Sequence, residues 1–413
     1  MKRILMVGAG SCQINAIRKI KELGHQVVAA DYNDWTEGKS LADFSVLADA
    51  FSEKEILDCA RAYAVDGIMT VGTDQPVLTV TKAAQALHLP RFLDSETALL
   101  VTNKKEMKKR FQAEGIPTAG FALIRKGFGD DELEGLRPPF VVKPLDSQGQ
   151  RGIFKLQDIP AVRESFDEVV RYSRCEEILV EEYYHNKELT VSGWVDSGRV
   201  SIYTVTDRVT FSSDEHIGVC TAHNHPSIHL PRYREEIFQL TEKICRVFGI
   251  EDGPIYFQYL VGSRGILVNE IACRLGGAYE DVTIPFVTGI DVLTKNVEGC
   301  LGMDEEKGKS EAYTYNEGVF FTTQLFFCEP GEVAHVTPLE ELKELPFVVG
   351  AGYNVKVGDI LIPIENASQR AGYLIVSGKD QEDLEDNLKK AATLLRIEDA
   401  KGKNLVMPLS ARS

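Results

Sequence analysis

No stretch of the 413-residue sequence approaches the roughly 20 consecutive apolar residues that a membrane-spanning helix requires. The apolar run near the N-terminus, Ile4-Leu5-Met6-Val7, is too short for a secretion signal and leads directly into a turn that begins at Gly8. These absences predict a soluble, cytoplasmic protein with no membrane partner.

Paired cysteines and an excess of basic residues are also missing. No two of the eight cysteines form a C-x-x-C pair, so neither a zinc ribbon nor a disulfide framework is expected. Lys and Arg number 46 against 62 Asp and Glu, which gives a formal net charge of −16. Because nucleic acid binding requires a basic face, the sequence predicts no nucleic acid partner. An anionic ligand would have to be held by a local positive site.

The chain is too long for a single core, and its secondary-structure patterns divide it into three regions. Residues 1–101 alternate short apolar strands with amphipathic helices, which predicts a parallel, doubly wound α/β domain. Residues 102–305 contain mostly strands around an amphipathic helix, which predicts an α+β domain with a largely antiparallel sheet. Residues 306–413 end in a helix and predict a smaller α+β domain.

The turn Gly8-Ala9-Gly10 follows the first predicted strand and precedes a helix, as the pyrophosphate-binding turn of a dinucleotide fold does. Asp31 lies near the end of the second strand, where an acid would contact a ribose. Gln13 replaces the third glycine of that pattern, so an ordinary strand–helix turn explains the residues better. An NAD-dependent oxidoreductase remains an alternative.

Two segments of the middle region suit the binding of a nucleotide. Lys143 ends a predicted strand just before the loop Ser147 to Gly152, whose backbone N–H groups could contact phosphate while the lysine adds a point charge. Further along, the strand Ile178 to Glu182 could present backbone groups to an adenine edge, and the carboxylate of Glu188 could reach ribose hydroxyls.

Two more polar residues suit a metal ion. Gln258 and Glu270 lie on neighbouring predicted strands and could meet at one point. Their oxygen atoms are the ligands that Mg²⁺ prefers, and such an ion would bridge nucleotide phosphates.

The order of these motifs resembles that of the ATP-grasp superfamily, which includes biotin carboxylase, carbamoyl phosphate synthetase and the L-amino acid ligases. The resemblance extends from Met1 to about Leu395 and is most specific between Thr102 and Gly277. It implies an ATP-grasp fold for the middle region, with ATP and Mg²⁺ as cofactors. It also implies that the N-terminal parallel domain helps to shape the acceptor-substrate site.

The resemblance further implies roles for individual residues. Lys104 and Lys143 would contact the α- and β-phosphates, and Arg274 would face the transferred phosphoryl group, so Lys143 and Arg274 are the expected catalytic residues. Gln258 and Glu270 match the metal-ligand positions. The phosphate loop and the adenine and ribose segment would supply the other nucleotide contacts: Ser147, Gln148, Gly149, Arg151, Gly152, Glu181, Glu182, Tyr184 and Glu188.

One position departs from the superfamily pattern. An Asn usually follows the metal-binding Glu by two residues, and Ala272 stands there instead. Asn269 directly precedes Glu270, and regular strand alternation would direct its side chain to the opposite face. The number of metal ions is therefore left open.

Two further clusters have several interpretations. A basic helix is interpreted as mostly solvated, with Lys104 alone turned inward, and contains Lys104, Lys105, Lys108, Lys109 and Arg110. A second cluster contains His216, His223, His225 and His229, of which His223 and His225 would share a strand face and could be a zinc half-site. The alternatives are that these histidines contact the substrate or act as acid–base groups, or that they lie in a polar loop without chemistry.

Together these patterns predict an ATP-dependent ligase that activates a carboxylate as an acyl phosphate and transfers the acyl group to an amine or other nucleophile. The expected substrates are a small carboxylate or amino acid and an amine, and a homodimer is the commonest assembly for such a chain. A nucleotide-pathway or carboxylating ATP-grasp enzyme, an NAD-dependent oxidoreductase and a catalytically silent nucleotide-binding module are the alternatives.

Overall fold

A parallel sheet flanked by helices forms the N-terminal region of the structure, a computed structural model that describes residues 1–147, 149–213, 216–304, 307–309 and 313–409. In chain order its elements are β1 (Arg3–Val7), α1 (Ile14–Glu22), β2 (Gln26–Asp31), α2 (Glu37–Leu41), β3 (Phe44–Leu47), α3 (Glu53–Ala62), β4 (Gly67–Met69), α4 (Pro76–Ala86) and α5 (Ser95–Thr102). The strands pair in parallel in the order β3-β2-β1-β4. Ile4 and Leu5 belong to separate apolar clusters because helices cover both faces of the sheet. The predicted parallel domain is confirmed.

A smaller antiparallel sheet follows. Its elements are α6 (Lys104–Ala113), β5 (Phe121–Arg125), β6 (Phe140–Pro144), β7 (Phe154–Leu156), α7 (Ile159–Val170) and β8 (Glu177–Glu182). The strands pair in the order β5-β8-β6-β7, and α7 packs Val162 and Phe166 against one face of them. The side chain of Asn103 caps α6 by accepting hydrogen bonds from the backbone N–H groups of Lys105 and Glu106. This cap fixes where the helix begins.

A long antiparallel sheet occupies the centre of the molecule. Its first elements are β9 (Asn186–Asp196), β10 (Arg199–Thr210), β11 (Cys220–His225), α8 (Leu230–Phe248), β12 (Gly253–Gly262), β13 (Gly265–Ala272), α9 (Glu280–Thr288) and α10 (Val292–Leu301). Ile237 and Ile244 on the apolar side of α8 pack against Val191 and Phe257 on one face of the sheet. Because side chains alternate along a strand, the opposite face carries polar groups such as Thr190. In the described part of the chain, no helix combines the length and the apolar character needed to cross a bilayer.

The C-terminal strands continue this central sheet. The remaining elements are β14 (Phe320–Phe326), β15 (Gly331–Glu332), β16 (His335–Val336), α11 (Leu339–Lys343), β17 (Val348–Tyr353), β18 (Ile360–Leu361), β19 (Gly372–Gly378), α12 (Gln381–Leu394) and β20 (Ile397–Glu398). The eight strands of the large sheet lie in the order β13-β12-β9-β10-β11-β14-β19-β17. The sheet therefore crosses the boundary between residues 305 and 306 that the sequence suggested, and the domain limits themselves stay a prediction.

Candidate active site

A cleft lies between the smaller antiparallel sheet and the β12–β13 end of the large sheet. Residues of β6, β8 and α6 line one side, and residues of β12 and β13 line the other. Charged and amide side chains converge there, among them Lys104, Lys108, Lys143, Glu181, Gln258 and Glu270. The described part of the chain thus brings most of the predicted nucleotide and metal residues to one place.

Glu181 lies between two buried lysines. Its carboxylate oxygens are 2.5 Å from Nζ of Lys108 and 2.6 Å from Nζ of Lys143. Burial alone would raise the pKa of Glu181, but the two lysines outweigh it and lower that pKa to about 2. Burial lowers the pKa of Lys108, whereas for Lys143 the effect of burial is outweighed by Glu181 and the pKa rises. The three side chains form a buried network with an excess of positive charge.

Lys108 corrects one interpretation of the sequence. The prediction that Lys104 alone turns inward is wrong, because Lys108 is 2% exposed and also donates a hydrogen bond to Oγ1 of Thr118. Lys104 and Lys108 are one helical turn apart on α6, so both face the cleft.

Lys104 joins the phosphate loop to the predicted metal site. Its Nζ is 3.1 Å from Oε1 of Glu270 and donates a 3.0 Å hydrogen bond to the carbonyl oxygen of Ser147. Burial alone would raise the pKa of Glu270, but Lys104 and Lys143 lower it. Glu270 is therefore an anion within the cleft at neutral pH.

A β-bulge places Asn269 beside Glu270. Gln258 pairs with Glu270 across β12 and β13, whereas the next residue, Tyr259, pairs with Val268, so Asn269 is an extra residue in the ladder. Its Oδ1 accepts a 3.2 Å hydrogen bond from Nζ of Lys143, and its Nδ2 lies 3.4 Å from Oε1 of Gln258. The expectation that Asn269 points to the opposite face is wrong, because the bulge breaks the alternation on which it rested.

The donor atoms at this point suit a magnesium ion. Gln258 and Asn269 offer amide oxygens beside the carboxylate of Glu270, and Mg²⁺ prefers oxygen ligands while retaining water or phosphate oxygens. Ala272 is buried and has no donor atom. Among the residues that the structure describes, no three His, Cys, Asp or Glu side chains form a metal-binding group. A magnesium ion would therefore depend on one acid, two amides and the phosphates of a nucleotide.

Comparison with protein-family models gives two matches. Residues 136–281, which contain most of the cleft, match the ATP-grasp domain, and residues 324–400 match the L-amino acid ligase C-terminal domain 2. The chain therefore contains an ATP-grasp domain, as the resemblance of its motifs predicted.

Named relatives support this assignment. The chain is 25% identical over 394 residues to the L-arginine-specific L-amino acid ligase of Bacillus subtilis, a match that covers 89% of this chain and 91% of that protein. The solved L-amino acid ligase of Bacillus licheniformis has the same fold, with a TM-score of 0.80 at 18% identity, and the match covers 97% of this chain and 99% of that one. A biotin carboxylase domain of Hydrogenobacter thermophilus, solved with ADP and magnesium, has a TM-score of 0.77 at 17% identity and covers 96% of this chain and 90% of that one. The predicted superfamily and ligase class are confirmed.

The phosphate loop of this ATP-grasp chain is only partly in the cleft. Gln148 lies outside the described residues, and Ser147, Gly149, Arg151 and Gly152 do not line the cleft. Gln150, which the sequence prediction left out, does line it and packs against Gly218. The backbone of Gln150 has a positive φ of 66°, which is uncommon for a residue other than glycine. No sequence pattern indicates that Gln150 lines the cleft.

The adenine and ribose residues have partners within the protein. Glu182 forms an ion pair with Arg264, and the hydroxyl of Tyr184 donates a 2.9 Å hydrogen bond to the carbonyl oxygen of Gly265. Glu188 forms an ion pair with the buried Arg208. All three predicted residues line the cleft, and their nucleotide contacts stay predictions.

Arg274 lies beside the cleft rather than in its lining and faces the N-terminal domain. Its Nη2 is 2.5 Å from Oδ1 of Asp74, and its guanidinium stacks on the ring of Tyr256, 4.6 Å from the centroid. The next turn meets the same domain, because a Cβ at Gly277 would lie 2.7 Å from the carbonyl oxygen of Gly72. Glycine is therefore required where the two domains touch.

The Gly8–Gly10 turn is filled by the protein's own side chains. Ala9 donates a backbone hydrogen bond of 2.9 Å to Oδ2 of Asp31, and Nε2 of Gln13 donates one of 2.6 Å to the carbonyl oxygen of Val71. These contacts give the turn and its acid a structural role and disfavour the dinucleotide alternative.

The four histidines are dispersed among different partners. Nδ1 of His223 lies 3.0 Å from Oγ1 of Thr206, and Nδ1 of His225 donates a 2.7 Å hydrogen bond to the carbonyl oxygen of Val319. His216 packs edge-on against a phenylalanine, and His229 precedes α8. Burial lowers the pKa of His223 to about 3 and that of His225 to about 4.

Acidification from pH 6.5 towards pH 4 is expected to destabilise the protein, because His223 and His225 stay neutral when folded but bind protons when unfolded. Each contributes a slope of up to about 1.4 kcal/mol per pH unit in this window. The free energy of unfolding, measured in urea at several pH values, should fall less steeply for His225→Gln than for the exposed control His335→Gln. Equal slopes for the two variants would contradict this explanation.

Proposed function

We propose that the chain is an ATP-dependent ligase that activates a small carboxylate, most readily that of an amino acid, and joins it to an amine. The observation that carries the proposal is the convergence of Lys104, Lys143 and the oxygen donors around Glu270 in one cleft. The named L-amino acid ligase relatives support amino acids as the substrate class.

In the proposed reaction, a carboxylate oxygen of the substrate attacks the γ-phosphorus of ATP. The bond to the β,γ-bridging oxygen breaks, so that ADP leaves and an acyl phosphate remains. The amine then attacks the acyl carbon, phosphate leaves with the electron pair of the broken C–O bond, and the nitrogen loses a proton. The products are an amide, ADP and phosphate.

The lysines and Arg274 would neutralise the charge that moves during phosphoryl transfer. Lys104 and Lys143 are held by carboxylates before any nucleotide binds, and Asp74 and Tyr256 hold Arg274. A bound magnesium ion would add positive charge at the phosphate oxygens. Because these groups need little rearrangement, they suit electrostatic stabilisation of a transition state.

The phosphate loop would keep water from the acyl phosphate. Gln150 lines the cleft, and the backbone N–H of Ala367 lies 3.4 Å from the carbonyl oxygen of Gly149, so the loop reaches the C-terminal region. A closed loop excludes the water that would hydrolyse the intermediate.

The test combines ADP release with trapping of the intermediate by hydroxylamine. Wild-type protein, supplied with ATP, Mg²⁺ and L-amino acids singly and in pairs, is expected to form acyl hydroxamates and to release ADP. Lys143→Ala is expected to lower the rate of both by about 100- to 1000-fold, because a buried charge that faces the phosphates is removed.

The matched control is Lys126→Ala, which removes an exposed lysine of the same sheet region that forms an ion pair with Asp167. It should retain wild-type turnover. Retained turnover in Lys143→Ala would contradict the site assignment, and NAD binding without ATP turnover in the wild type would favour the oxidoreductase.

A further inference from the structure

Two lysines of the cleft share one buried carboxylate. The oxygens of Glu181 lie 2.5 Å from Nζ of Lys108 and 2.6 Å from Nζ of Lys143, and the side chain of Glu181 is 4% exposed. In the proposed reaction, a lysine that binds the triphosphate has to turn from this carboxylate towards the phosphate oxygens. If both lysines did so, Glu181 would be left as an unpaired buried anion, which is strongly unfavourable. One of the two lysines therefore has to stay.

Lys143 is the lysine that borders the proposed metal site. Its Nζ donates a 3.2 Å hydrogen bond to Oδ1 of Asn269, whose Nδ2 lies 3.4 Å from Oε1 of Gln258. Its side chain is 14% exposed, which makes it the most accessible member of the network that it forms with Glu181 and Lys108. Lys143 is therefore already next to the place where a magnesium ion and the phosphates of a nucleotide would lie.

Lys108 is held by groups of the protein interior instead. Its Nζ donates a 2.5 Å hydrogen bond to Oγ1 of Thr118, and this hydroxyl donates a 2.8 Å hydrogen bond to the carbonyl oxygen of Val268. The same Nζ lies 5.8 Å from the ring centroid of Phe111, within the range of a cation–π interaction. The side chain of Lys108 is 3% exposed. These contacts keep the ammonium group of Lys108 beside Glu181.

We infer that Lys108 is a positioning residue, which keeps Glu181 paired while Lys143 transfers to the phosphates of the nucleotide. This inference rests on the proposed ligase function and gives Lys108 no contact with the reacting atoms. With Lys108 in place, Lys143 exchanges one anion for another and no buried charge is left unpaired. Without Lys108, Glu181 would retain Lys143 as its partner and withhold it from the phosphates.

The inference is tested with Lys108→Met, alone and combined with Glu181→Gln. Methionine preserves most of the apolar stem, and Glu181 keeps Lys143 as a partner in the single variant, so the protein should fold, which urea unfolding checks. In Lys108→Met, kcat for ADP release and for hydroxamate formation is expected to fall about 10- to 100-fold, because Lys143 stays with Glu181. In the double variant, kcat is expected to recover to within about threefold of the wild type, because no buried carboxylate retains Lys143.

Lys109→Met is the matched control, because Lys109 is the next lysine of α6 and its side chain is 52% exposed. It should leave kcat and the KM for ATP unchanged. An unchanged kcat in Lys108→Met would overturn the inference. Absence of rescue in the double variant would also overturn it, because a structural role of Lys108 is not restored by the removal of a second buried charge. A raised KM for ATP in both variants would show that Lys108 binds the nucleotide itself, which contradicts the inference.

If Lys108→Met does not fold, the double variant decides the question. Turnover near that of the wild type would support the inference, since Lys108 is then needed only while Glu181 carries its charge. Turnover as low as that of Lys143→Ala would overturn it and leave the ligase function intact. Absence of both ADP release and hydroxamate from the wild type with every L-amino acid would overturn the proposed function and the inference with it.

Discussion

Replacing Glu181 with glutamine is expected to lower the free energy of unfolding by about 3–5 kcal/mol, because it leaves two buried lysines without their shared anion. Lys108 is the more affected of the two, since Glu181 is its close acidic partner and its side chain is 3% exposed. Lys143 keeps its hydrogen bond to Asn269. The loss is measured as a shift of the urea unfolding transition at neutral pH, followed by circular dichroism.

Glu177→Gln supplies the matched control on the same strand. Glu177 also pairs with two cations, Lys105 and Arg125, but its side chain is 18% exposed whereas that of Glu181 is 4% exposed. Its removal should lower the free energy of unfolding by no more than about 1 kcal/mol, as is usual for ion pairs near the surface. Equal losses in the two variants would show that burial of the network is not the cause.

The pH dependence separates the two variants further. The pKa of Glu181 is about 2 in the folded protein and has its ordinary, higher value in the unfolded chain. Its contribution to stability is therefore present above about pH 4.5 and is lost as the pH falls towards 2. The Glu181→Gln variant should lack this component of the acid transition, and Glu177→Gln should retain it.

The alternation of apolar strands and amphipathic helices was enough to predict the parallel N-terminal domain, because burial on both faces leaves a strong pattern. Lys143 and Glu270 could also be predicted as site residues, because each lies on a predicted strand within the order of motifs that resembles the ATP-grasp superfamily. Lys108 could have been found from its spacing to Lys104, but a solvated helix surface is the commoner environment for a cluster of lysines.

The contacts of Asn269 and Arg370 could not be predicted from the sequence, for different physical reasons. The side chain of Asn269 faces the cleft because a bulge inserts one residue into β13, and a bulge depends on the pairing with β12. Arg370 contacts Gly277, which lies 93 residues earlier in the sequence. The two residues come together because the C-terminal strands join the central sheet. Both cases depend on contacts between strands rather than on local pattern.

Replacing Glu270 with glutamine is expected to lower the rate of ATP-dependent ADP release by about 100- to 1000-fold, because the substitution removes the negative charge from the proposed metal site. Glutamine keeps an oxygen donor of the same length, so the variant should still fold and should require a higher Mg²⁺ concentration for half-maximal activity. The measurement is steady-state ADP release at increasing Mg²⁺ with saturating ATP. The control is again Glu177→Gln, which should match the wild type in both rate and Mg²⁺ requirement.

A comparison with Asn269→Ala makes this prediction specific to the bulge. If the side chain of Asn269 shares the metal site with Glu270, its removal should also raise the Mg²⁺ requirement, but by less, because a neutral amide is a weaker ligand than a carboxylate. If the strand alternated regularly, Asn269 would lie on the far face and alanine would leave the Mg²⁺ requirement unchanged. An unchanged requirement in Asn269→Ala with a raised one in Glu270→Gln would therefore restrict the proposed site to Glu270 and Gln258. An unchanged requirement in both variants would remove magnesium from this part of the cleft.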